Sequence, residues 1–126
     1  MKIIRYFILC LIVVLVNAVK ANAQKDTSSQ IRHVVIVTFK PGTADSSKHF
    51  VDKTYRQAAD AFPIIKAFEW GWDDNDKSQA KHVYVTTFNS KGDLTTYNAS
   101  PQIQTAKKTT SPYVTNITTV DYPVNK

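Results

Sequence analysis

The chain has 126 residues, of which 43% are hydrophobic, a formal net charge of +6 and one cysteine. That length holds one domain, and a single thiol excludes a disulfide framework. The basic residues are scattered rather than clustered, which excludes a nucleic-acid footprint.

The N-terminus has the three parts of a secretory signal peptide. Lys2 and Arg5 form a basic start, residues 6–16 an unbroken apolar and aromatic run, and Ala21-Asn22-Ala23 a small-x-small cleavage site. The run is short for a membrane span, so an uncleaved anchor is the lesser alternative, and no membrane contact is expected after cleavage. Cleavage after Ala23 leaves 103 residues and removes Lys2, Arg5, Lys20 and Cys10, so the formal charge falls to +3. The expected location is secreted or periplasmic. With no thiol left, stability rests on core packing, in a domain that buries about 65% of its surface on folding.

Residues 24–30 are a polar lead-in without periodicity. Residues 31–40 predict a strand, with Ile31, His33, Val35, Val37 and Phe39 on one face and Val34 and Ile36 on the other. Two apolar faces require cover on both sides. Pro41-Gly42 ends the strand. A helix is expected over 45–62, its inner rows being Phe50, Thr54, Ala58 and Phe62 beside Val51, Tyr55 and Ala59. Lys48, His49, Asp52, Lys53, Arg56 and Asp60 are assigned to the outer side, and Pro63 stops the helix.

Residues 64–72 predict a second strand, with Phe68, Trp70 and Trp72 on one face and a bulge or close backbone approach at Gly71. The acidic cluster Asp73, Asp74 and Asp76 reads as a solvated turn, because it lacks the glycine and distal glutamate of a calcium loop. Residues 81–88 form the third strand, which carries His82, Tyr84, Thr86 and Phe88 on one face. Ser90 with Asp93 marks a helix start that leads to Tyr97, and Pro101 opens a second short helix. Residues 113–122 are the last strand, with Ile117, Thr119 and Asp121 on one face and Val114, Val120 and Tyr122 on the other.

The order β-α-β-β-α-β predicts an α+β, ferredoxin-like fold: an antiparallel four-strand sheet with its helices on one face. The opposite face then carries Val34, Ile36, Val83, Val85, Val114 and Val120, too apolar to stand in water. A second copy packed sheet to sheet is the expected cover, so the chain's first partner is itself, as a homodimer.

Four segments in this order resemble the stress-responsive A/B barrel family, the dimeric α+β barrel (Dabb) domains. They are IRHVVIVTFKPG, AFEWGWD, KHVYVTTF with SKGDLTTY, and VDYP, and the resemblance spans 31–124. It implies a ferredoxin-like protomer that pairs into a dimeric barrel. One plant branch of that family cyclises polyketides with a tyrosine and a histidine, on the motif Tyr-x-x-His-Pro-x-His. Here Tyr97 and Pro101 match, while Ser100 and Ile103 stand at the histidine positions. Isoleucine accepts no proton, so that mechanism is not carried over.

His33, Tyr55, His82, Tyr84, Tyr97 and Asp121 are the candidate pocket residues, on the helix-facing side of neighbouring strands and on the helices above them. A histidine among tyrosines and apolar walls suits general acid–base work on a small apolar or aromatic ligand. The plainer alternative has the histidines satisfied by hydrogen bonds and the tyrosines at a core rim. His33, His82 and Asp121 reach the ligand count of a metal site, but no local spacing marks one, and metal is not expected. No glycine-rich phosphate loop exists, and no cofactor is implied. Two readings follow: a dimeric barrel that binds a small ligand, or a non-catalytic dimer module for stress protection or partner binding.

Overall fold

The computed structural model describes residues 29–73, 75 and 80–125. The predicted signal sequence and most of the lead-in, residues 1–28, lie outside the described residues, as do Asp74 and Asp76 of the acidic turn. Among the described residues the order is β1 (Ile31–Phe39), α1 (Asp45–Asp60), β2 (Ile65–Trp72), β3 (Lys81–Phe88), α2 (Lys91–Ala99), α3 (Pro101–Thr110) and β4 (Val114–Pro123). A short 3-10 turn over Ser111–Tyr113 precedes β4. The strands form one antiparallel sheet in the order β2-β3-β1-β4, which is the ferredoxin-like α+β arrangement. No helix among the described residues is long and apolar enough to cross a membrane.

Local chemistry explains the boundaries. Gly42 takes a φ of +77° in the turn after β1, a conformation open to glycine at little cost. Ser90 caps α2 by accepting the Asp93 N–H at 3.1 Å. Ser100 closes one helix and opens the next: its hydroxyl donates to the Tyr97 carbonyl at 2.8 Å and accepts from the Ile103 N–H at 3.4 Å. Pro101 follows at the first helical position, where a missing N–H costs nothing. Tyr97 and Ile103 are thereby held on either side of one tight corner.

The core lies between sheet and helices in two clusters. One gathers Val37, Phe39, Val51, Tyr55, Tyr84 and Ala106; the other gathers Phe88, Leu94, Tyr97 and Ile103. Ala58 packs against both. Burying one such large side chain contributes about 1.5–3 kcal/mol. On the opposite sheet face Val34, Ile36, Val83 and Val85 are half-buried, and Val120 and Tyr122 are exposed.

Four expectations need correction. Asp52 is buried rather than on the outer side of α1, because three side chains converge on its carboxylate. Phe50, placed on an inner row, is exposed and meets only the edge of Tyr113, 5.9 Å between centroids. Gly71 pairs regularly with Val83, and the irregularity in β2 falls between Ile65 and Ala67. Val114 packs on the helix-side core, because the β1–β4 register shifts between Thr38 and Phe39. One displaced residue reverses every side chain beyond it, so strict alternation could not place Val114.

Candidate functional site

A cavity of about 330 Å³ lies between the sheet and the helices. β1 contributes His33 and Val35, α1 Tyr55, β2 Phe68, and β3 Tyr84 and Thr86. Tyr97 and Asn98 come from α2, Ile103 and Lys107 from α3, and Ile117 and Thr119 from β4. Strand alternation brings these together: β1 pairs His33 with Thr86 on one side and Asp121 on the other, and Val35 with Tyr84 and Thr119.

His33 is the site's basic group. Its Nδ1 lies 2.6 Å from Oδ1 of Asp121, whose side chain remains 43% exposed. An ionised carboxylate can only accept, so Nδ1 donates to it, and in the neutral ring Nε2 then presents its lone pair. Nε2 has no hydrogen-bond partner among the described residues, yet no fully buried polar atom is left without one. Nε2 is therefore open to a small molecule, on a ring that lines the cavity. The edge of Tyr97 meets that ring at 6.0 Å and fixes its plane.

The three tyrosines are kept neutral. Burial pushes the Tyr97 phenol up to about 12, aided by Tyr55 and opposed by a hydrogen bond from Thr86. Burial also raises Tyr55, against the Thr110 hydroxyl that donates to its oxygen at 3.3 Å. Tyr84 is raised furthest, first by burial and then by donating to the Asp52 carboxylate at 2.5 Å. At neutral pH the cavity thus presents phenols rather than phenolates.

His82 does not belong to this cavity, contrary to its place among the six candidates. It forms a second pair, Nδ1 to Oδ1 of Asp52 at 2.7 Å, between an edge contact with Phe39 and the stacked ring of Trp72. Tyr84 joins the two regions, its ring lining the cavity and its hydroxyl bonded to Asp52. Asp121 is bonded to His33 but is not on the cavity wall. The structure therefore brings His33, Tyr55, Tyr84 and Tyr97 together, with Asp121 behind His33 and His82 apart.

Sequence reasoning passed over Asp52, Asn98 and Lys107. Their signals were in the spacing. Asp52 is three residues before Tyr55, and Lys107 four after Ile103, so each shares a helix face with a core residue.

The family model for the stress responsive A/B barrel domain matches residues 31–124. The chain belongs to this family. Among solved structures, the hydroxynitrile lyase of Passiflora edulis is 23% identical, with a TM-score of 0.68 over 78% of this chain and 95% of that one. A dimeric ferredoxin-like protein of unknown function from Thermobifida fusca is 15% identical, with a TM-score of 0.68 over 78% and 93%. A Dabb protein from Mesorhizobium loti is 20% identical, with a TM-score of 0.66 over 78% and 100%. At these identities the likeness is one of fold. No curated protein matches the chain.

This A/B barrel domain has a serine and an isoleucine at the two histidine positions of the cyclase motif, and both are committed elsewhere. The Ser100 hydroxyl is engaged by the backbone on both sides of its corner, and Ile103 supplies apolar wall.

Proposed function

We propose that this A/B barrel protein binds a small, largely apolar ligand in the cavity between sheet and helices. The observation that carries the reading is the open Nε2 of His33. It lies on the wall of a 330 Å³ space in which the Tyr55 and Tyr84 hydroxyls already have partners in Thr110 and Asp52. That volume sits at the lower end of the range for small-molecule sites, about 300–1,000 Å³, and suits one or two rings. A neutral histidine with a carboxylate behind it can accept a proton from a ligand hydroxyl, or from carbon beside a carbonyl. One structural neighbour is by name a hydroxynitrile lyase, which supports proton transfer as chemistry this fold can host.

We read the chain further as a homodimer through the open sheet face. Val34, Ile36, Val83 and Val85 form a continuous apolar patch there, and two neighbours are described as dimeric. The leader is read as a secretory signal cleaved after Ala23, which places the dimer outside the cytoplasm.

Native mass spectrometry of the purified protein tests the reading. The expected result is a dimer that carries a small molecule, lost on denaturation. His33→Ala and Tyr97→Phe should each lower its occupancy. A monomer, or a ligand whose retention ignores both substitutions, would sink it. Trp70 and Trp72 do not line the cavity, so tryptophan emission is no direct readout.

A further inference from the structure

The cavity wall carries a single formally charged side chain, and it is a cation. Lys107 lines it from α3, while no carboxylate does among the described residues. The Lys107 ammonium has neither an ion pair nor a hydrogen bond with any described residue. The side-chain amide of Asn98, also on the wall, is likewise without a partner there, since the hydrogen bond at this residue uses its carbonyl. The Tyr55 and Tyr84 hydroxyls already have partners, whereas the Lys107 ammonium, the Asn98 amide and His33 Nε2 have none among the described residues.

Resting on the small-ligand reading above, we infer that the cavity selects carboxylic acids with a small aromatic or aliphatic body. The carboxylate is held by Lys107 and Asn98, and the body lies among Val35, Phe68, Ile103 and Ile117. A ligand hydroxyl, where present, donates to His33 Nε2. Lys107 is exposed at the cavity rim, where a charge-assisted hydrogen bond to a carboxylate is still stronger than a neutral one to an ester. The ordinary role of a lysine in the last turn of a helix is to complement the helix dipole. Lys108, in the same turn but off the cavity wall, plays that role equally and is the natural control.

Calorimetric titration of the purified protein with benzoate, phenylacetate and para-hydroxyphenylacetate, each against its methyl ester, decides the matter. The best acid should bind about tenfold more tightly than its ester, the value of one charge-assisted hydrogen bond. Lys107→Met should abolish that preference. Lys107→Arg and Lys108→Met should retain it. Equal binding of acid and ester, or a preference that survives in Lys107→Met, overturns the carboxylate inference while the small-ligand reading stands. Binding of neither acid nor ester overturns both.

Discussion

The described residues include two histidine–aspartate pairs of nearly equal length, 2.6 Å in His33–Asp121 and 2.7 Å in His82–Asp52. They are built for different ends. Asp121 sits on an edge strand with its side chain 43% exposed, and its one side-chain partner is His33. Asp52 is 3% exposed and takes three donors: the His82 ring, the Tyr84 hydroxyl and, more loosely at 3.4 Å, the Trp72 indole. The first pair orients a ring whose far nitrogen opens to a cavity. The second ties α1 to β2 and β3. The same two residue types thus make a chemical group in one place and a structural clasp in the other, and solvent access with partner count tells them apart.

The clasp should show the largest effect on stability. Asp52→Ala removes the acceptor from two buried donors, His82 and Tyr84, and from the exposed Trp72, and we expect a loss of about 3–5 kcal/mol, the cost of breaking a buried pair from one side. Urea unfolding at unchanged m-value measures it. A loss below about 1 kcal/mol would refute the clasp. The pair also sets an acid limit. Burial works against ionisation of Asp52, yet hydrogen bonds from His82, Tyr84 and Trp72 hold its carboxyl below its ordinary value of 3.8. A depressed folded value means that the unfolded chain binds protons first as pH falls. The stability Asp52 provides is therefore complete above pH 3.8 and lost as pH drops through the lower folded value. Asp52→Asn should flatten that acid limb in a pH series of unfolding midpoints.

Tyr84→Phe is the intermediate case. It deletes one donor of three and leaves the ring in the cavity wall. The expected loss is about 1–2 kcal/mol, with the cavity's shape retained. If binding of the co-purified ligand falls more than stability does, Tyr84 belongs to the site as well as to the clasp. That result would blur the division drawn here.

The strands and helices were legible in the sequence because each rests on local periodicity or on a cap, and the sheet followed from their β-α-β-β-α-β order. Ser90 with Asp93 announced one helix and Pro101 the next, and the structure adds the Ser100 cap before it. His33 and Asp121 were legible as neighbours once the strand order was fixed. What could not be read was the partition of the six candidates. His33 and His82 have the same residue type, the same sheet face and nearly the same burial, and they differ in where the carboxylate comes from, Asp121 from the neighbouring strand and Asp52 from the helix layer. Asp52 reached His82 because Val51, Asp52, Tyr55 and Ala59 form the buried stripe of α1, a residue or so from the stripe through Phe50 that periodicity also allowed. A polar residue on the boundary of a stripe is assigned by its partner across the interface, and that partner lies 30 residues away in sequence.

Asp121→Asn should have the smallest effect on stability and the clearest effect on the cavity. The pair is half in water, so its contribution to folding is under about 1 kcal/mol. Its local consequence differs. A neutral amide can accept from Nδ1 or donate to it, so the His33 proton is no longer confined to Nδ1, and Nε2 loses part of its acceptor strength. Ligand affinity should therefore fall severalfold while the unfolding midpoint barely moves. An Asp121→Asn protein that melts well below the parent would make His33–Asp121 a second clasp. One that binds ligand as the parent does would show that the carboxylate is not what prepares His33. Only lost affinity at unchanged stability is consistent with a pair whose purpose is to aim one nitrogen into an open space.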